Sequence, residues 1–204
     1  SHLLFAFRGP AIHAKSTYTG AAREIMILIN NLILVTAMAM ILIGTLYPLV
    51  ADALQLGKIS VGPPYFNFFF VPLSFALLVC LGVAASSRWQ HTASAAVIQH
   101  ARWPAAFSVS LGMLLPIPLA VWFDSPGYSM AAALTIIAVL WVVAMSLQDL
   151  RVKMNTAPLA RLSASYWGML LAHSGIALCA LGVGLSSVYD SQRDMRMEPG
   201  DSVL

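Results

Sequence analysis

The sequence predicts an all-α integral membrane protein, a polytopic bundle of five transmembrane helices with the stub of a preceding helix and the start of an outward domain. Three observations carry this. The 204 residues are 59% hydrophobic and only 9% charged, with mean hydropathy +0.81, whereas a soluble domain carries about 25% charged residues. Five apolar runs each match the roughly 20 residues that cross a bilayer as helix. The connections between them alternate in charge, basic on one side and acidic on the other. The same composition excludes soluble globular, disordered and nucleic-acid-binding classes. The net charge of +3 and pI near 9.1 come from short basic loops rather than from a basic surface.

The expected organisation is an end-of-helix and basic inward loop over 1–24, a transmembrane domain over 25–188, and an outward segment over 189–204. Ser1–Phe7 is apolar but too short to span, and it lacks the basic n-region and cleavage site of a signal peptide. It reads as the tail of a helix that starts earlier. With no initiator Met and a polar finish at Glu198–Leu204, the chain reads as an internal piece of a longer polypeptide.

The first span is Ile25–Val50. Asn30 and Asn31 sit about two turns into it, and their amides need partners in lipid, so they are expected to face other helices. The outward connection Ala51–Tyr65 ends in a stiff motif containing Ser60, Gly62, Pro63, Pro64, Tyr65, Phe66 and Asn67. The two prolines fix φ and remove two backbone donors, and the glycine permits a turn before them. This loop is either an interfacial aromatic anchor or a rigid platform for a partner or ligand. Phe66–Ser86 is the second span. The third, Pro104–Phe123, contains Leu115-Pro116-Ile117-Pro118, which must kink it. The fourth, Tyr128–Leu147, holds Trp141, whose indole N–H needs an acceptor. Ser165–Val188 is the fifth. In hydrocarbon the backbone must satisfy itself, and the alternation of a membrane β-barrel is absent, so all five are helices.

Orientation follows from Lys and Arg. Eight of the eleven fall in segment 8–24 (Arg8, Lys15, Arg23) and loops 87–103 and 148–164 (Arg88, Arg102, Arg151, Lys153, Arg161). Six of the eight acids lie on the opposite side. The basic side is therefore cytoplasmic, or matrix-side in an organelle, and the C-terminal tail outward.

His173 is the only histidine or formally charged side chain inside any of the five runs. Such a residue is costly in a bilayer and marks a functional site by default. It lies ~12 Å along the fifth helix from Ser165 at 1.5 Å per residue. Ala177, Ala180 and Gly184 share its face at i+4, i+7 and i+11, and Tyr166, Met169 and Leu170 continue that face the other way. Small residues beside a histidine leave room for a flat ligand such as a porphyrin, or equally for a neighbouring helix. Three roles stay open on the residues alone: a packing histidine with one hydrogen bond, a haem or metal ligand, and a proton relay. His2, His13, His91 and His100 read as solvated loop residues. Cys80 and Cys179 read as small buried hydrophobes with no ligand spacing. No Walker loop, GxSxG, HExxH or dinucleotide fingerprint occurs.

Three segments together resemble one family. Arg23-Glu24-Ile25 through Asn30-Asn31, continuing to Leu42-Ile43-Gly44-Thr45-Leu46-Tyr47-Pro48-Leu49, is similar to a family helix. Ser60–Asn67 is similar to its outward loop. Ser165-Tyr166-Trp167-Gly168-Met169 with Ala172-His173, followed by Arg193–Ser202, is similar to its last helix before a large outward domain. The family is CcmF, the membrane haem lyase of cytochrome c maturation, with its relative NrfE.

The resemblance implies a bacterial inner-membrane protein that joins haem, delivered by the chaperone CcmE, to the CxxCH thiols of an apocytochrome c. It implies CcmH/CcmI-type subunits as thiol-handling partners. It also implies a structural haem b held by two transmembrane histidines, of which His173 matches one, and which keeps the substrate haem iron reduced. Tyr166, Ala177, Ala180 and Gly184 are then expected to line that haem. The family's tryptophan-rich segment, its two flanking outward histidines and its second transmembrane histidine have no counterpart in these residues; all precede this stretch in the family's order. The piece is therefore expected to depend on the remaining N-terminal part for haem binding and activity. Two other classes compete. A transporter with His173 as proton relay would lose coupled flux in His173→Ala without any bound haem. A non-catalytic assembly subunit would lose partner binding when Ser60–Asn67 is deleted.

Overall fold

The computed structural model describes residues 19–20, 22–87, 91–124, 127–155 and 158–190. The apolar stub, His2, His13, Arg8, Lys15, Arg88 and the segment 191–204 lie outside the described residues.

Helices dominate: α1 Arg23–Ala53, α2 Pro63–Ser86, α3 Ser94–Leu114, α4 Pro116–Trp122, α5 Met130–Met154 and α6 Ala164–Tyr189, with one 3₁₀ turn at Leu159–Arg161. Two-residue strands β1 (Thr19–Gly20) and β2 (His91–Thr92) pair in parallel, with Thr19 opposite His91. With α3 and α4 taken as one span, five helices are long and apolar enough to cross a bilayer. The chain is a multi-pass membrane protein.

Local chemistry explains the helix starts. Gly62 is extended and Pro63-Pro64 occupy the first turn of α2, where the backbone N–H groups have no intrahelical use. Ser129 and Ser163 cap α5 and α6, their hydroxyls accepting from the Ala132 and Tyr166 N–H groups at 3.3 Å. Arg151 and Lys153 sit in the last turn of α5, where the helix dipole favours cations.

The third span differs from its sequence reading. It begins at Ser94, ten residues before the expected Pro104, so Arg102 and His100 lie on the helix and not in a loop. Pro104 inside α3 has no N–H to offer the His100 carbonyl four residues earlier. The Gln148 side chain of α5 supplies one instead, at 2.7 Å. Helix assignment breaks at Leu115, next to Pro116 and Pro118. Leu115 itself keeps helical angles (φ −60°, ψ −33°), so the chain resumes at once.

The core runs along α5, which packs on α2, α3 and α6. Val142 and Met145 of α5 have no exposed surface. Helices approach closely where a glycine faces a large side chain. Gly82 of α2 lies against the Trp141 indole, Gly112 of α3 against Ile137, and Gly184 of α6 against Thr135. The Trp141 N–H donates to the Val79 carbonyl at 3.0 Å, which gives that half-buried indole the acceptor it needs in a membrane span.

At the edge of the bundle α1 packs chiefly on α2. The contact is Gly44 against Tyr65: a Cβ at position 44 would stand 2.5 Å from the tyrosine ring. The Tyr65 hydroxyl donates to the Met40 carbonyl at 3.1 Å. The motif expected as a loop is thus mostly the first turn of α2, because two prolines pre-set the helical φ. Tyr65 ties two helices together, with edge contacts to Phe66 and Phe69 at centroid separations of 5.3 and 5.1 Å. Ser60, Pro63, Pro64 and Asn67 remain exposed.

Candidate functional site

A cavity of about 450 Å³ opens at the end of the bundle that carries Arg23 and Lys153. The start of α1 supplies Arg23, Met26, Ile27 and Asn30 to its wall, and the last turns of α2 supply Cys80, Leu81 and Ala84. Lys153 closes it from α5. Across the cavity, α6 and its cap present Ser163, Ser165, Tyr166, Met169 and His173. These positions lie on one side of α6 at spacings of three, four and seven, as one helix face requires.

His173 lines the cavity two turns further along α6 than Tyr166. Its Nδ1 lies 2.8 Å from the Met169 carbonyl oxygen one turn back. A carbonyl only accepts, so Nδ1 carries the hydrogen, and in the neutral ring Nε2 is then a bare lone pair. Nε2 is buried and has no hydrogen-bond partner among the described residues. A polar atom left so in hydrocarbon costs on the order of 1–3 kcal/mol. Nε2 is closed over by neighbouring atoms, with under 1 Å² of accessible surface, so a ligand reaches it only if the ring or its neighbours shift. No group of three or more His, Cys, Asp or Glu side chains is placed to hold a metal ion among the described residues.

Seven residues before His173, Tyr166 is buried. Its hydroxyl donates to Asp149 Oδ2 at 2.8 Å, and Lys153 Nζ lies 3.7 Å above its ring. Lys153 is also 3.7 Å from the same Asp149 oxygen, one turn away on α5.

The structure brings together Tyr166, Met169, His173 and Asn30 of the residues singled out in the sequence. It separates the small stripe from them. Ala177 is in the core with Leu78, Ala138, Val139 and Val142, Ala180 packs on that cluster, and Gly184 meets Thr135. These three serve helix packing against α5 and α2, so of the expected lining only Tyr166 shares the cavity with His173. Asn31 is exposed on α1, and Ser60–Asn67 is at the opposite end of the bundle. Cys80 and Lys153 were not singled out as site residues. Nothing in their local spacing marks them, since they reach the cavity only through the packing of α2 and α5 beside α6.

No family model matches the chain, and no solved structure matches it. Curated relatives do. The cytochrome c-type biogenesis protein CcmF of Pseudomonas aeruginosa is 43% identical over 213 residues, covering 98% of this chain and 30% of the relative. CcmF of Escherichia coli is 34% identical over 204 residues, covering all of this chain and 30% of the relative. The cytochrome c-type biogenesis protein NrfE of Haemophilus influenzae is 28% identical over 206 residues, with 98% and 30% covered. The chain thus spans about 30% of the length of the curated relatives it matches.

Proposed function

Because the chain belongs to the CcmF/NrfE family of cytochrome c-type biogenesis proteins, matching 30% of their length, we propose that it forms one side of a haem b site in a haem lyase of cytochrome c maturation. His173 supplies one axial ligand through Nε2. The single observation that carries this reading is a cavity-lining histidine whose buried Nε2 has no hydrogen-bond partner among the described residues, with Nδ1–H committed to the Met169 carbonyl.

What these residues do is bind and orient. The Met169 carbonyl fixes the tautomer and the ring plane, and so removes the freedom of the imidazole to swing away. The Tyr166–Asp149–Lys153 cluster holds the start of α6 to the end of α5, which sets the height of His173 in the bundle. Leu81, Met169 and Ile27 give the cavity apolar walls. When bound, haem supplies a one-electron redox centre.

In the wider assembly, the second axial histidine and the tryptophan-rich haem-handling segment come from the remaining N-terminal part of the family protein. Haem arrives from CcmE and is joined to CxxCH thiols of an apocytochrome c presented by CcmH/CcmI-type subunits. The basic end faces the cytoplasm and the Tyr65 end the periplasm. There the exposed Ser60, Pro63, Pro64 and Asn67 are available to a partner. Purified full-length protein carrying His173→Ala is expected to lose its b-type absorption spectrum while keeping its helical circular dichroism. An unchanged b-type spectrum refutes the ligand assignment.

A further inference from the structure

We propose that Arg102 and Trp103, on the exposed side of α3, form a headgroup site for an anionic phospholipid at the basic end of the bundle. The site is separate from the cavity and depends neither on His173 nor on a cofactor.

α3 packs on α5 through its small side. Pro104, Ser108 and Gly112 are buried four residues apart, and Ile137 of α5 lies against Gly112. Membrane helices approach one another through such small residues, so this seam fixes which way the rest of α3 faces. Its other side is bulky and open. Trp103 is 70% exposed near one end and Trp122 82% exposed at the other, with Phe107, Val109, Leu114 and Ile117 exposed between them. Leu115 keeps helical angles, so α3 and α4 run on as one span. The 19 residues from Trp103 to Trp122 then rise about 28 Å. The hydrocarbon core of a bilayer is about 30 Å thick, and tryptophan collects at both of its interfaces. The two indoles therefore mark the two edges of a lipid-facing wall.

Arg102 stands at the basic edge of that wall. It is exposed, and its guanidinium lies 5.6 Å from the Trp103 ring centroid. A ring contact uses the face of a guanidinium and leaves its in-plane N–H donors for an anion. Among the described residues Arg102 makes no ion pair. Cα–Cβ bonds tilt toward the N-terminus of a helix, and α3 begins at the basic end, so the side chain leans toward the membrane surface. Arg151 and Arg161 are exposed at the same end, which makes this edge cationic. Basic groups at the edge of a membrane span favour anionic lipids. A headgroup phosphate accepts two parallel N–H bonds from a guanidinium, and the acyl chains below it meet the apolar wall that begins at Trp103. A further helix seated here would meet Trp103 and Phe107 in place of a small-residue seam, so the occupant assigned is a lipid.

The test is lipid titration of the delipidated full-length protein by native mass spectrometry, with phosphatidylglycerol and with phosphatidylcholine. Wild type is expected to bind its first phosphatidylglycerol about tenfold more tightly, as an arginine–phosphate contact unopposed by a choline cation predicts. Arg102→Gln is expected to bind the two lipids alike. Arg161→Gln removes the same charge at the same end and is expected to keep the preference, while Trp103→Leu weakens both lipids. Equal binding by wild type, a preference that survives Arg102→Gln, one lost equally in Arg161→Gln, or unaltered affinities in Trp103→Leu overturns the inference. Thermal unfolding of the same samples separates lipid from protein on this face. Phosphatidylglycerol is expected to raise the midpoint of wild type more than that of Arg102→Gln. A midpoint that falls in Arg102→Gln by the same amount with and without the lipid means that another part of the full-length protein covers Arg102, and the lipid assignment is then wrong.

Discussion

Gly44→Ala probes the junction of α1 with α2. The added methyl would stand 2.5 Å from Tyr65 Cε1 and 3.0 Å from Phe66 Cε1. Carbon atoms rest at about 3.5–4.0 Å, so the ring must withdraw by roughly 1 Å. That motion breaks the hydrogen bond from the Tyr65 hydroxyl to the Met40 carbonyl, now 3.1 Å. Overpacking costs about 1–3 kcal/mol and the lost bond about 1 kcal/mol. Alanine's helix propensity returns about 1 kcal/mol over glycine. The net destabilisation is ~2 kcal/mol, a fall of ~4–8 °C in midpoint for a chain of this size. The assay is thermal unfolding of the purified protein in one detergent. Gly175→Ala and Gly182→Ala serve as controls, because nothing lies within 4 Å of a Cβ at either; both are expected to be neutral or slightly stabilising. Tyr65→Leu should absorb most of the Gly44→Ala effect, giving a coupling of about 1 kcal/mol or more in a double-mutant cycle. A Gly44→Ala midpoint equal to wild type, or strictly additive single and double variants, refutes the packing argument.

Three further outcomes are expected from the same geometry. Gly82→Ala drives a methyl into the Trp141 indole and should cost more than Trp141→Phe, which loses mainly the Val79 hydrogen bond at about 1 kcal/mol; unfolding midpoints decide. Gln148→Leu should destabilise by about 1 kcal/mol, and by clearly less in a Pro104→Ala background, where the new N–H satisfies the His100 carbonyl itself; equal losses in both backgrounds contradict the account. Gly184→Val should lower the midpoint through its clash with Thr135 yet leave the haem absorption maximum in place; a shifted maximum at unchanged stability would put the small stripe back beside the cofactor.

The five spans were legible because hydrocarbon leaves the backbone one solution, and apolar runs of the right length announce it. Where reading by run length went astray, a proline was involved. Pro104 opened the expected third span as the start of its apolar run, whereas the helix begins at Ser94, and Gln148 supplies the donor that Pro104 cannot give the His100 carbonyl. Pro63-Pro64 looked like a stiff loop because a fixed φ near −65° suits both a turn and a first helical turn. His173 stood out on cost alone. The stripe beside it could not be resolved by spacing, since a small residue serves a cofactor and a neighbouring helix equally; in the structure Ala177 and Ala180 pack against Leu78 of α2 and Ala138, Val139 and Val142 of α5. Lys153 and Cys80 belong to the cavity through tertiary placement, and no local pattern carries that.

The central claim is that His173 offers a pre-oriented Nε2 to haem iron. The most direct measurement is the reduced absorption spectrum of full-length His173→Gly, before and after adding imidazole. The account predicts a b-type spectrum that disappears in the variant and returns when free imidazole fills the space of the missing ring. A spectrum that persists in His173→Gly with its maximum unchanged and indifferent to imidazole contradicts it.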